Sequence, residues 1–136
     1  MAILGPWLNA QVIINSVDLS NRVESVTLEL ASADVDVTTF GQTGKVRMGG
    51  LQDNKLTISF LQDFAAAEVD ATISAMFNTT VPFNIKPVNG ATSSTNPAYT
   101  GTVLVNDYKP MDGKIGDALK SAVTWPVSGA YTRATS

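Results

Sequence analysis

The sequence predicts a mainly β protein, an antiparallel β-sandwich or flattened barrel with one α-helix over about residues 64–77 packed on one side. Three patterns predict it. In residues 55–60, Leu56, Ile58 and Phe60 fall on one face and Lys55, Thr57 and Ser59 on the other, the period of two of a sheet packed on one side only. In residues 69–77, Val69, Ile73, Met76 and Phe77 recur at i, i+4, i+7 and i+8, so one stripe of a helix can lie back on that sheet. Elsewhere, short alternating runs divided by turn-forming residues bring the count to roughly seven strands of ordinary length.

Residues 12–15 form a short apolar strand, and Asn15-Ser16-Val17-Asp18 a turn. Val26, Leu28 and Leu30 then alternate with Ser25, Thr27 and Glu29, and Val35 and Val37 with Asp34, Asp36 and Thr38. Two amphipathic strands therefore meet around residues 31–33, as a hairpin or as one strand with a bend. Residues 39–50, TFGQTGKVRMGG, combine dense glycine with two cations and with Phe40, Val46 and Met48 to bury, which suits a loop that orders against a partner. Asp63 suits the helix N-cap, with Glu68 and Asp70 on the helix surface. Asn78 and Thr79 end the helix, and residues 80–86 form a strand with Val81, Phe83 and Ile85 inward. Residues 87–97 read as a loop, 99–107 as a strand with Tyr99, Gly101, Val103 and Val105 on one face, and 109–117 as a turn-rich connection. The last strand, 119–127, places Leu119, Val123, Trp125 and Val127 on one face, with Pro126 marking an edge or the strand's end, and 128–136 form a small polar tail. Phe60 and Trp125 read as core; Trp7, in an N-terminal arm over 1–9, reads as an interface residue.

With 136 residues the chain predicts one domain, 1–136. It is 44% apolar and 15% charged, too hydrophobic for disorder, and no apolar run approaches the roughly 20 residues of a membrane span. Residues 1–10 have no basic n-region and are interrupted by Gly5 and Pro6, so they do not read as a signal peptide, and the expectation is synthesis and use in the cytoplasm, with no membrane.

The chain has no cysteine and no histidine. Those absences remove thiol nucleophiles, His-based triads and the commonest metal ligands together. A net charge of −3 argues against binding nucleic acid by phosphate neutralisation. Gly44-Lys45 resembles the end of a P-loop, but Thr39 stands where glycine is needed and Val46 where Ser or Thr is needed. Asp34 and Asp36, two apart on a strand and so about 7 Å apart, have no aromatic cleft around them to make a glycosidase site. Calcium on Asp34, Asp36 and Asp112 lacks an EF-type spacing, and Asn78-Thr79-Thr80 matches a glycosylation acceptor without a secretory signal. The expectation is a protein that is not an enzyme, with no catalytic residue, metal or cofactor. Charge is segregated: Asp18, Glu24, Glu29, Asp34 and Asp36 precede the basic stretch with Lys45, Arg47 and Lys55. A solvated surface explains this, and so does a stack in which the basic loop of one copy meets the acidic rim of another.

The succession of an alternating strand, LQDF, an acidic helix and Phe77-Asn78 followed by another strand, together with the C-terminal run VTWPVSG, resembles the major tail tube protein of long-tailed, siphovirus-type bacteriophages. The resemblance covers residues 51–135. It implies a structural virion protein whose subunits form hexameric rings stacked into the tail tube, the conduit for DNA ejection, located in the virion tail and assembled in the host cytoplasm. Each subunit of such a ring contributes about four strands to a lumenal barrel. About 24 strands at roughly 4.8 Å spacing and about 40° tilt make a backbone barrel roughly 48 Å across, and roughly 38 Å inside the side chains, wide enough for a duplex.

The resemblance implies as partners further copies of the chain, a tape-measure protein, a tail-tip initiator and a tail terminator, with duplex DNA passing without being bound. On this reading Thr27, Glu29, Asp34, Asp36, Lys55, Thr57 and Ser59 face the lumen, where acids and hydroxyls keep phosphate from sticking, and Lys55 needs a neighbouring carboxylate. Phe40, Lys45, Val46, Arg47 and Met48 form the ring-stacking loop, within 39–50, and Trp7 the N-terminal interface. Two alternatives stand beside it. The tube protein of a related contractile or secretion-type injection system would share the ring architecture, and a monomeric β-sandwich ligand-binding module would need an exposed aromatic platform, which a chain with 7% aromatics, mostly inward, offers poorly.

Overall fold

The computed structural model describes residues 9–66 and 68–136. Strands β1 (Gln11–Ile14) and β2 (Val17–Asp18) join through Asn15 and Ser16, at φ 51° and 66°, the left-handed pair that a two-residue hairpin turn requires. After a 3₁₀ turn, Ser20–Arg22, come β3 (Val23–Glu29), β4 (Ser32–Asp36), β5 (Arg47–Gln52) and β6 (Lys55–Leu61). Helix α1 (Val69–Ala75), β7 (Thr80–Lys86), β8 (Ala98–Leu104) and β9 (Lys120–Ala134) complete the chain.

Seven strands form one antiparallel sheet in the order β2-β1-β7-β8-β9-β6-β3, curled into a half-barrel, while β4 and β5 pair with each other in a separate two-stranded ribbon. The expected sandwich or flattened barrel with one helix is the observed class. The long β9 produces the curl. Its first half pairs with β6, from Leu61↔Lys120 to Lys55↔Pro126, and its second half with β8, from Val103↔Val127 to Ala98↔Ala134. The change of partner falls at Pro126, which supplies no N–H, and at Gly129, whose φ of 86° accompanies the register shift between Thr100 and Thr102. Opposite that shift Gly101 lets the Phe83 ring cross close by: a Cβ there would stand 3.0 Å from Phe83 Cε1.

The concave side holds the core. Alternate residues of β6 (Leu56, Ile58, Phe60), β7 (Val81, Phe83, Ile85) and β9 (Val123, Trp125) meet Val12 and Ile14 of β1 and the helix residues Val69, Ile73 and Met76. Phe60 and Trp125, expected inside, are completely buried, with ring centroids 6.4 Å apart, and the indole N–H of Trp125 donates to Asp107 O at 2.8 Å.

The structure departs from the sequence expectations in several places, beginning with the turn expected over 15–18, of which Val17–Asp18 form β2. The helix spans Val69–Ala75 rather than about 64–77, and Phe77 is exposed. Asp63 is not its cap: one carboxylate oxygen accepts from Ala65 N (2.9 Å) and the other from Arg22 Nε (2.7 Å), so the side chain builds a turn and an ion pair before the helix begins. Of the loop expected over 39–50, residues 47–50 are strand β5. Residues 128–134, expected as tail, continue β9 along β8, because the strand turns through Pro126 instead of ending there. The expectation for Trp7 lies outside the described residues.

Candidate functional site

Every residue from Glu29 to Asp53 is exposed. This stretch contains the β4–β5 ribbon, the distal part of a long hairpin whose proximal part is β3 and β6. The ribbon is amphipathic. Asp34↔Gly49 and Asp36↔Arg47 share one face, and Val35↔Met48 the other, where Val37 and Val46 follow, bonded through Val37 N to Val46 O at 2.9 Å. Val35, Val37, Val46 and Met48 remain 40–56% exposed, and Phe40 at the tip is fully exposed. A two-stranded ribbon with an uncovered apolar face is marginal in water, so covering that face would stabilise the arm.

Two local devices hold the arm in shape. At its base Asn54, 2% exposed, interrupts the alternation between β5 and β6: its Oδ1 accepts from Ala31 N (3.0 Å), its Nδ2 donates to Gln52 Oε1 (3.1 Å), and its carbonyl accepts from Val127 N (2.9 Å). The break in each strand and the start of the second half of β9 are thus tied at one residue. Toward the tip, Asp36 Oδ1 accepts from both Oγ1 (2.6 Å) and N (3.0 Å) of Thr38, and Thr38 Oγ1 accepts from Val46 N (2.8 Å). These bonds, the hydroxyl first and the amide second, hold the Asp36 carboxyl below its ordinary value.

The outer face of β3, β6 and the first half of β9 is a second candidate surface. Register places Ser25 beside Ser59 and Ala122, Thr27 beside Thr57 and Thr124, and Glu29 beside Lys55. Thr57 and Thr124 hydroxyls lie 3.3 Å apart, and at the far end Lys120 pairs with Glu24 at 3.1 Å. The face is therefore hydroxyl-rich, with its charges set against one another.

Of the seven residues expected on one face, the fold brings together Thr27, Glu29, Lys55, Thr57 and Ser59 and gives Lys55 its facing carboxylate in Glu29. It does not bring Asp34 and Asp36 there. They lie on the arm, since the chain changes partner at residues 30–31, and Asp34 pairs with Arg47 at 3.4 Å. Part of the acid and base segregated along the sequence meets inside one chain. The five residues expected in the stacking loop, Phe40, Lys45, Val46, Arg47 and Met48, all lie on the arm and all are exposed. Sequence reasoning missed Asn54, for which the signal was the polar pair Asp53-Asn54 breaking the apolar alternation. It also missed the exposed Phe64, Met111 and Ile115 at the other end of the sheet.

That other end is firmly built. Gln62 Nε2 donates to Pro110 O (2.8 Å) and to Tyr108 Oη (3.0 Å), and Tyr108 Oη donates to Asp70 Oδ1 (2.7 Å) on the helix. Burial, then the Asp70 carboxylate, pushes the Tyr108 phenol up to about 12, so it stays a donor throughout the working range. Among the described residues no three acidic side chains converge in a way that could hold a metal ion.

The fold is similar over its full length to a chain of the virion of a native gene transfer agent particle: TM-score 0.73 at 14% identity, covering 97% of this chain and 98% of that one. It is similar also to a chain from the tail of an empty gene transfer agent particle, obtained by helical refinement with C6 symmetry, with TM-score 0.71 at 14% identity over 96% of this chain and 98% of that one. At such identity the likeness is one of fold. No protein-family model matches the sequence, and no curated protein matches it.

Proposed function

We propose that the chain is a structural subunit of a phage-type tail. Copies join side by side in six-fold rings, and the rings stack into a hollow tube through which duplex DNA leaves the particle. The observation that carries this reading is the end-to-end likeness of fold to chains of a tail-bearing particle, one of them refined in C6 symmetry. The exposed arm supports it, because an amphipathic ribbon with an uncovered apolar face gains its stability on meeting another molecule.

In the tube the face of Ser25, Thr27, Thr57, Ser59 and Thr124 lines the bore. Hydroxyls, with Glu29 and Lys55 facing each other across the ladder, leave no cationic stripe for phosphates to grip, so DNA slides without binding. The arm, with Phe40, Val46 and Met48, joins one ring to the next. Because the arm gains its cover in the assembly, a subunit adds more readily to an existing ring end than to another free subunit, and tubes form above a threshold concentration. Tape-measure, tip-initiator and terminator proteins fit as the remaining partners of such a tube, and the particle tail as its location.

The test is negative-stain electron microscopy of the purified chain across a concentration series, with its solution mass. Rings or hollow tubes with six-fold end views are expected. A 14.3 kDa monomer up to the solubility limit, or solid aggregates without a bore, would count against the proposal.

A further inference from the structure

We infer that the end of the sheet opposite the arm is the arm's seat: Phe64, Met111 and Ile115 of one copy receive Phe40 and the apolar ribbon face of the next copy in a head-to-tail contact. This rests on the stacked-tube reading and names which surface of the neighbour the arm meets.

Placement comes from register. The arm leaves the sheet at Glu29 and Lys55, while Val23, Leu61 and Lys120 mark the other end of the same three strands, about 20 Å away along seven-residue strands. Residues 107–119 reach that far end by running beside the first half of β9: Asp107 O meets Trp125 Nε1, and Asp112 O accepts from Lys120 N. Both ends expose apolar side chains that a soluble surface does not need. Ile115 is as fully exposed as Phe40, and Met111 and Phe64 are 77% and 53% exposed. Next to Ile115 in sequence, an open depression of about 650 Å³ lined by residues 112–114, 116–118 and 120, not by Phe64, Met111 or Ile115 themselves, has room for an aromatic side chain.

One pair of opposite charges is available to the same contact: Lys45, on the arm, and Asp112, at the far end, are among the charged side chains that no ion pair between described residues uses, as is Asp36 on the arm. A head-to-tail contact brings Lys45 and Asp112 to the same junction. The far end is also held before contact, since Gln62 and Tyr108 pin the segment that presents Met111, so little ordering is left for the contact to offset. Because donor and acceptor occupy opposite ends of one subunit, the contact does not close on itself but propagates, as a stack requires.

The chain has no cysteine, which makes cross-linking clean. Gln42→Cys and Ala66→Cys, two residues from Phe40 and from Phe64, leave the contacting residues in place, and both positions are exposed. The double variant, treated at assembly concentration with a short bismaleimide that tolerates several ångströms of misplacement, is expected to give a ladder of dimers, trimers and higher multiples under denaturing conditions. The Gln42→Cys variant gives at most dimers. Electron microscopy of the same sample separates the two claims. Tubes without a ladder overturn the seat and leave the tube reading standing; a ladder without tubes supports the seat and counts against the tube. Neither tubes nor ladder from a chain with unchanged thermal unfolding overturns both.

Discussion

Asn54 carries more of the arm's geometry than any apolar residue near it. Its side chain is buried where the hairpin breaks, and Asn54→Ala leaves the Ala31 N–H without its acceptor. The expected loss is about 1–2 kcal/mol of folding stability, read by urea unfolding, with a larger relative loss of assembly because the arm's angle is no longer fixed. Asp63 gives a prediction in pH. Its carboxyl is held below its ordinary value, first by the Ala65 N–H and then by the Arg22 guanidinium, so its folded pKa lies under the unfolded one. Such a group contributes stability above the unfolded pKa, about 3.9, and that contribution is lost as pH falls through the folded value. Asp63→Asn is therefore less stable than the parent at pH 7, and the gap narrows as the pH falls below the unfolded value of about 3.9 and on through the folded one; thermal unfolding at several pH values measures it. Asp63 illustrates what sequence leaves open at this scale. An aspartate before a helical stripe fits an N-cap, but whether its oxygens go to the helix or to a turn and an arginine remote in sequence depends on tertiary placement of Arg22.

At the scale of elements, the arm and the outer face separate assembly from folding. Replacing residues 38–45 by Asn-Gly keeps Asp36↔Arg47 in register and closes the ribbon with a two-residue turn. None of the removed side chains is buried, so thermal unfolding should move by no more than a few degrees while tube formation is lost. Normal tubes from this variant would remove the arm from the stacking contact. On the outer face, Glu29→Lys with Thr57→Lys should leave tubes intact but make them retain duplex DNA at low salt and release it as salt rises; co-sedimentation of tubes with DNA measures it. Retention no greater than that of the parent would show that this face does not line the bore. The alternation of Leu56, Ile58 and Phe60 made strand β6 and its two faces legible in the sequence, and the same period exposed β4, whereas the glycines around β5 made that strand read as loop. What the period could not give was the partner: Asp34 and Asp36 alternate with valines much as Glu29 does with leucines, yet a break at residues 30–31 places them in another sheet. Likewise Pro126 reads as a stop in a flat strand, whereas in a strand that turns from β6 to β8 it sits where a ladder bond is not made.

In the whole molecule, fold class followed from periodicity because a half-barrel with one packed helix leaves period-two and period-3.6 patterns that need no tertiary information. The curl did not, since it depends on one strand pairing with two others in succession. The same curl gives the molecule its polarity: an uncovered arm at one end, an uncovered apolar patch at the other, and a hydroxyl face between them. The central claim is that this polarity builds a six-fold tube, and cryo-electron microscopy of assemblies of the unmodified chain tests it most directly. The expected result is a hollow tube of stacked six-fold rings, with Thr27, Thr57 and Thr124 on the wall of the bore and each arm reaching into the adjacent ring. A particle without a bore, or arms folded back on their own subunits, would contradict it.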